Sequence, residues 1–196
     1  MVQGVDPERY GLLQTVVDEE SYARSINRFR EEKILLPTFG QLADPTTIPE
    51  KIQEALLDIN PNDAHPLNLF RVHWYNAYDS LERVRVPEHI VLPSELTGVE
   101  AKIVLAFGNR FPMITAHKVL AAYSCFVPRI ISGQFDPTRH RAIWPSTGNY
   151  ARGGIAISTL MRSRGVAVLP ENMSQERFDW LDKWVMDPCL LYTSDA

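Results

Sequence analysis

The sequence lacks features that are typical of nucleic-acid-binding, membrane-surface-binding, disulfide-rich and metal-binding proteins. Its 20 lysines and arginines are outnumbered by 24 aspartates and glutamates, for a formal charge of -4, whereas nucleic-acid and membrane-surface binders usually carry a basic face. It has two cysteines and no CxxC pair, which excludes a disulfide framework and a cysteine-based zinc site. The five histidines show neither HxxxH nor HExxH spacing, so nothing predicts a metal site.

Long apolar runs and a basic leader are also lacking. No run approaches the roughly 18 residues of a membrane-spanning helix, and MVQGVDPERYG has no basic stretch leading into an apolar core, as a signal peptide would. We therefore expect a cytoplasmic protein without a membrane or nucleic-acid partner. With 196 residues, 45% of them hydrophobic and 22% charged, the composition is typical of a globular protein of one domain or two small ones.

From about residue 100, apolar runs alternate with helical patterns. The runs AKIVLAFG, HRAIWP and VAVLP are typical of buried strands, and they are followed by TAHKVLAAYSCFV, NYARGGIAISTLMRSRG and MSQERFDWLDKWVM respectively. This alternation predicts an α/β fold, a parallel sheet with flanking helices. Gly165 is expected to end the second helix, and the proline-broken stretch VRVPEHIVLPSELTG is expected to be a connecting loop.

Ser146, Thr147, Gly148 and Asn149 form a small polar turn between a predicted strand and a predicted helix. In a parallel sheet this turn falls at the carboxyl edge, where ligands gather and where N–H groups of the helix N-terminus face outward. Glycine lets a ligand approach the backbone, and the other three residues offer side-chain hydrogen bonds. The stretch contains neither GxGxxG nor GK[ST]. A plain strand-to-helix cap is the alternative interpretation.

Lys118, in FPMITAHKVLAAY, is one of only five lysines. It lies in the first turn of a predicted apolar helix, just beyond the carboxyl end of a predicted strand. The positive end of a helix and partial burial both favour the neutral amine, which can act as a nucleophile or form a Schiff base. The alternative is a surface lysine whose apolar stem packs on the helix.

The order of these features resembles the front half of the fold-type II pyridoxal-phosphate enzymes, the group of cysteine synthase, threonine dehydratase and the tryptophan synthase β-subunit. A lysine at one strand-to-helix corner, STGN about 28 residues later and LPENMSQER after the next strand follow the family's order over roughly residues 92–180. The sequence differs at Val119 and Leu120, where the family usually has Asp-Arg. It also differs at Tyr150 and Ala151, where the family often has Thr-Gly.

The resemblance implies a tryptophan synthase β-like fold with pyridoxal 5'-phosphate as the cofactor. It implies that Lys118 holds the cofactor as a Schiff base and serves as general base, and that Asn149 hydrogen-bonds the ring hydroxyl oxygen. Ser146, Thr147 and Gly148, with Asn149, would grip the substrate carboxylate. The implied reaction is cysteine synthase-like β-replacement or β-elimination on an amino acid, by a lyase or transferase of amino-acid metabolism that is usually a homodimer. Deamination of serine or threonine on the same fold, and a non-catalytic nucleotide- or phosphate-binding α/β domain, are the alternatives.

The chain is expected to be an incomplete enzyme that is inactive by itself. Residues 1–91 form a mixed region without an assigned role, and residues 92–188 form the front part of the cofactor-binding core. The last eight residues, 189–196, read CLLYTSDA and are interpreted as a translated sequencing adapter rather than native protein. The glycine-rich phosphate loop and the partner of the pyridine nitrogen would lie beyond residue 188.

Overall fold

The structure of the chain is a computed structural model. It describes residues 13, 15–146 and 148–184, and the backbone of residues 191–194. The helices are α1 (Glu19–Glu31), α2 (Phe39–Ala43), α3 (Glu50–Leu57), α4 (Ser94–Thr97), α5 (Lys118–Ile131), α6 (Asn149–Leu160) and α7 (Gln175–Trp184). The strands are β1 (His89–Leu92), β2 (Ile103–Ala106), β3 (Arg141–Pro145), β4 (Arg164–Pro170) and β5 (Leu191–Ser194). Short 3-10 helices cover Pro45–Thr47, Pro66–Arg71 and Gly108–Arg110.

The chain divides into two compact units. Residues 1–35 and 118–196 form the discontinuous unit, and residues 36–117 form the middle unit. The sequence-based boundary between residues 91 and 92 falls inside the middle unit.

A parallel sheet with the strand order β3-β4-β5 lies in the discontinuous unit. Arg141 pairs with Arg164 and Pro145 with Val168, and the backbone of Leu191 pairs with Ala167. The predicted alternation is confirmed from β3 to α7, because strand, helix, strand and helix follow one another there. The fold is therefore mixed α/β. The strand β5 lies within the eight terminal residues interpreted as adapter sequence, and their origin stays a prediction.

The prediction that AKIVLAFG is a buried strand of the parallel sheet is wrong. Its central residues form β2, which pairs antiparallel with β1 in a two-stranded sheet of the middle unit. All four residues of β2 are exposed, Val104 by 52%. The partner strand β1 lies within VRVPEHIVLPSELTG, so the predicted loop is also wrong. An apolar run indicates a strand, but it does not indicate which strand pairs with it or whether a face is covered.

The prediction that Gly165 ends α6 is wrong as well. The helix ends at Leu160, and the left-handed residue that follows is Arg162, with φ of 51°. Gly165 is the second residue of β4, where a Cβ would lie 3.0 Å from Ser158 Cβ. This glycine therefore allows α6 to pack on the sheet rather than capping the helix.

The helix α1 is tied to the rest of the discontinuous unit by an ion pair. Asp18 caps the helix by accepting from the backbone N–H groups of Glu20 and Ser21. Arg24 Nε donates to Asp136 Oδ2 at 2.6 Å, and the Asp136 side chain is fully buried. Burial alone would raise the pKa of Asp136, but hydrogen bonds from Thr138 and Arg24 hold this pKa below its usual range.

The middle unit has a small apolar core with a buried arginine at its edge. Ile52, Leu56 and Phe70 are members of this core. Arg71 is 4% exposed, and its guanidinium donates to the carbonyls of Leu56 at 2.7 Å and Ile59 at 2.8 Å. These carbonyls belong to the last turn of α3 and to the residues after it, where helix carbonyls lack intrahelical partners. Arg71 therefore caps the C-terminus of α3.

The buried histidine His73 predicts that the middle unit loses stability in mild acid. His73 is 2% exposed, and burial beside the positive charge of Arg83 lowers its pKa to about 4. Because the unfolded chain binds this proton near pH 6.5, stability should fall as the pH drops from about 6.5 to 4, by up to ~1.4 kcal/mol per pH unit. Urea unfolding at several pH values measures this slope.

A matched pair of histidines provides the control for this prediction. His73 Nδ1 accepts a hydrogen bond from the N–H of Tyr75 at 3.2 Å, and exposed His65 accepts one from Leu67 at the same distance. We expect His73→Asn to flatten the pH dependence and His65→Asn to keep the wild-type slope. Equal slopes in all three proteins would show that His73 does not cause the loss.

Candidate functional site

The turn predicted to hold a ligand follows β3 directly. The backbone N–H of Ser146 donates to the carbonyl of Val168 at 3.2 Å, which extends the pairing of β3 with β4 by one residue. The backbone N–H of Gly148 donates to Ser146 Oγ, also at 3.2 Å. Ser146 and Gly148 therefore lie at the carboxyl edge of the parallel sheet. Thr147, the other predicted residue of this turn, lies outside the described residues.

Gly148 leaves open space at the N-terminus of α6. It is the N-cap residue, and no side chain of a described residue caps the helix. Apart from Gly148 itself and its two chain neighbours, no described residue has an atom within 4 Å of the position that a Cβ would occupy at Gly148. Because the first N–H groups of an α-helix lack intrahelical partners, an acceptor oxygen of a ligand can approach them on this side.

Gly153 brings α6 against the start of α5. A Cβ at Gly153 would lie 2.8 Å from the carbonyl oxygen of Lys118 and 3.1 Å from the nitrogen of Val119, so a larger residue would force the helices apart. Lys118 is the first residue of α5 and is partly buried. Asn149 is the first residue of α6, is exposed and precedes Gly153 by about one helical turn. Lys118 and Asn149 thus begin two helices that pack together near their first turns.

Tyr150 occupies a position where threonine is frequent in the family that the sequence resembles. Its ring meets Trp144 edge-on, with centroids 5.5 Å apart. Burial, together with a hydrogen bond to Cys125, raises the pKa of Tyr150 to about 12. The phenol is therefore neutral near pH 7, and its contacts place it in the packing around β3 and α5.

Arg152 is a site residue that the sequence pattern did not indicate. Its guanidinium carbon lies 4.6 Å from the centre of the Trp180 ring in α7. Its Nε is buried and has no hydrogen-bond partner in the part of the chain that the structure describes. Burial lowers the pKa of Arg152, and the carboxylate of Glu176 opposes this change. The three-residue spacing from Asn149 was visible in the sequence, but the contact with Trp180 was not.

A cavity of about 440 Å³ lies between the first turn of α6 and one face of α7. Asn149 and Arg152 line it from α6, and residues of α7 line it from the other side. The lining residues of α7 are Glu176, Arg177, Asp179, Trp180 and Lys183. With Arg152 included, three basic groups face two acidic ones, so the cavity favours a ligand with negative charge.

Within residues 13, 15–146 and 148–184, no group of three His, Cys, Asp or Glu side chains is arranged to hold a metal ion. Over the same residues, no helix has both the length and the apolar character that crossing a membrane requires.

Neither the models of protein families nor the curated proteins match the sequence. The function therefore has to be inferred from the geometry around Lys118, Asn149 and Arg152 and from the order of the sequence motifs.

Proposed function

We propose that the chain is the front part of a pyridoxal-phosphate enzyme that carries out β-replacement or β-elimination on an amino acid such as an O-activated serine. The observation that carries the proposal is the packing of Lys118 against Gly153, about one turn after Asn149. Beside it lies the open turn at Ser146 and Gly148. The resemblance in motif order supports the proposal, since it assigns the amine and the carboxamide to these same positions.

The residues present fit the aldehyde and hydroxyl side of pyridoxal 5'-phosphate. Lys118, a partly buried residue, supplies a primary amine at one helix start, and Asn149, an exposed residue, supplies a carboxamide at the neighbouring helix start. The position that a Cβ would occupy at Gly148, just before Asn149, is open. When bound, the cofactor supplies an electron sink that stabilises negative charge on the substrate carbon.

In this proposal, the other steps of the reaction are carried out by side chains and backbone groups of the chain itself. Lys118 Nζ takes the proton from the α-carbon of the substrate and later returns one. The Ser146 hydroxyl and the first N–H groups of α6 hold the substrate carboxylate. The close approach at Gly153 brings the main chain of Lys118 against α6, whose first N–H groups bind the substrate carboxylate in this proposal. The orientation of the bound amino acid then decides which bond to its α-carbon breaks.

Borohydride trapping tests the proposal. The full chain is mixed with pyridoxal 5'-phosphate, reduced and digested, and the labelled lysine is identified by mass spectrometry. We expect most of the label on Lys118, although the other four lysines, Lys33, Lys51, Lys102 and Lys183, are more exposed. Unselective surface labelling would favour those four, so a label confined to them would contradict the proposal.

A further inference from the structure

A cavity of about 120 Å³ lies within the middle unit, and each residue that lines it falls between residues 36 and 117. Ile48, Leu56 and Phe70 give the cavity apolar walls. His73 and Asn76 line it as polar residues, although they are only 2% and 1% exposed. Because a water takes up about 30 Å³ in the liquid, the volume suits a ligand of about four or five non-hydrogen atoms. The proposed function does not use this cavity.

His73 offers a hydrogen-bond donor to this cavity. Its Nδ1 accepts from the backbone N–H of Tyr75 at 3.2 Å, so the neutral imidazole carries its proton on Nε2. No residue that the structure describes accepts a hydrogen bond from this Nε2. Among those residues, the unpartnered side-chain atoms without accessible surface lie on Arg28, Arg152 and Ser163. Since Nε2 of His73 is not one of them, it keeps accessible surface, and an acceptor in the cavity can reach it.

Asn76 offers an acceptor to the same cavity. Its amide nitrogen donates to the carbonyls of Arg71 and His73, both at 2.9 Å, and these two bonds fix the orientation of the carboxamide. No described residue donates to Oδ1 on the other side of the amide, and this oxygen also keeps accessible surface. An unpaired buried polar group costs free energy, and a ligand with the complementary groups would remove this cost.

Two arginines that line the cavity have no ion-pair partner in the described part of the chain. Arg71 donates to main-chain carbonyls and to an amide oxygen. Arg83 donates to Gln53 Oε1 at 2.5 Å and to a main-chain carbonyl. All of these acceptors are neutral, and Glu82, which also lines the cavity, is exposed. Burial lowers the pKa of His73, and the fields of Arg83 and Arg71 add to this change, so a negative group beside the imidazole is favoured.

We propose that this cavity binds a small 2-hydroxy carboxylate such as glycolate or lactate. The carboxylate accepts from His73 Nε2 within the field of the two arginines, the hydroxyl group donates to Asn76 Oδ1, and the short carbon chain lies against the apolar walls. A carboxylate without a hydroxyl group would leave Asn76 Oδ1 unpaired, and water alone would leave the charges of Arg71 and Arg83 uncompensated. The inference does not rest on the proposed function, because it involves neither Lys118 nor the turn before α6.

Calorimetric titration of the full chain with glycolate and with propionate tests this inference. The two acids differ only in a hydroxyl or a methyl group at the same position, so they isolate the contact with Asn76. We expect glycolate to bind at one site and propionate to bind about tenfold more weakly, because propionate leaves a buried acceptor unpaired. The imidazole signals of His73 in NMR give a second result. A bound carboxylate opposes the fields of the arginines, so glycolate should raise the pKa of His73 above its value of about 4.

Two substitutions of His73 separate the roles of its ring nitrogens. His73→Asn keeps an amide near the position of Nδ1 but loses the donor at Nε2, so the affinity for glycolate should fall about tenfold or more. His73→Gln reaches the position of Nε2 with its amide and should lose less. Thermal unfolding checks that each variant folds.

A pair of exposed arginines keeps the test valid if the His73 variants do not fold. Arg83→Gln should weaken the binding of glycolate and propionate alike, whereas Arg85→Gln changes an exposed arginine that does not line this cavity and should leave both affinities unchanged. Equal affinities for glycolate and propionate, or wild-type affinity in Arg83→Gln, would overturn the inference. So would the absence of saturable binding, which would show that the cavity takes up water alone.

Discussion

Lys118→Ala is expected to reduce borohydride-trapped pyridoxal 5'-phosphate to the background of the exposed lysines. The reason is chemical, because only a primary amine can attach the aldehyde, and Lys118 is the lysine whose main chain packs against Gly153 of α6. After addition of the cofactor, the absorbance of the protein at the short-wavelength edge of the visible range should be lower for Lys118→Ala than for the wild type. The labelled fraction of the Lys118 peptide, measured by mass spectrometry, gives the quantitative result.

Two variants make this result specific. Lys118→Arg keeps the positive charge at the start of α5 but cannot attach the aldehyde, so it should lose trapping as completely as Lys118→Ala. Lys183→Ala removes an exposed lysine of the same unit and should retain trapping at Lys118. Trapping that persists at wild-type level in Lys118→Ala and Lys118→Arg would assign the attachment to another residue.

The strand and helix order from β3 to α7 could be predicted because each element has its own local signal. HRAIWP is a short apolar run that ends at proline, and NYARGGIAISTL carries an apolar helical pattern. The position of Ser146 and Gly148 at the carboxyl edge follows from that order, since a turn between a parallel strand and its helix can lie only there.

The rest of the fold depends on contacts between distant residues, which local patterns do not encode. The apolar run that became β2 pairs antiparallel with β1 and is exposed, whereas the pattern placed it in the buried sheet. The ion pair of Arg24 with Asp136 joins residues 112 positions apart. The contact of Arg152 with Trp180 likewise depends on how α7 packs on α6. The candidate cavity could therefore be found only from the structure.

The two neighbouring glycines in α6 are a second example of packing that local sequence patterns do not predict. Read by propensity alone, Gly153 and Gly154 weaken the helix, because glycine in a helix interior costs about 0.5–1 kcal/mol relative to alanine. The structure gives each glycine a packing role. Gly153 admits the main chain of Lys118, and Gly154 admits the ring of Trp144.

Gly154→Ala is therefore expected to destabilise the protein, against the helix propensity of alanine. A Cβ at this position would lie 2.6 Å from Trp144 Cε2 and closer still to two other ring atoms. The ring has little freedom to move, since it is 5% exposed and its Nε1 donates to Ser158 Oγ at 3.1 Å. Overpacking of this kind costs up to ~3 kcal/mol, which corresponds to a melting temperature lower by about 6–12 °C. Calorimetry or thermal circular dichroism measures the shift.

Gly40→Ala is the matched control for this prediction, because Gly40 also lies inside a helix, α2. There a Cβ would meet only Thr38 Oγ1 at 3.6 Å, an ordinary contact. Helix propensity then acts alone, and Gly40→Ala should raise stability by about 0.5–1 kcal/mol. The two substitutions are chemically identical, so opposite signs isolate the packing of Trp144 against α6. If Gly154→Ala stabilised the protein as Gly40→Ala does, α6 could not lie as close to β3 as described.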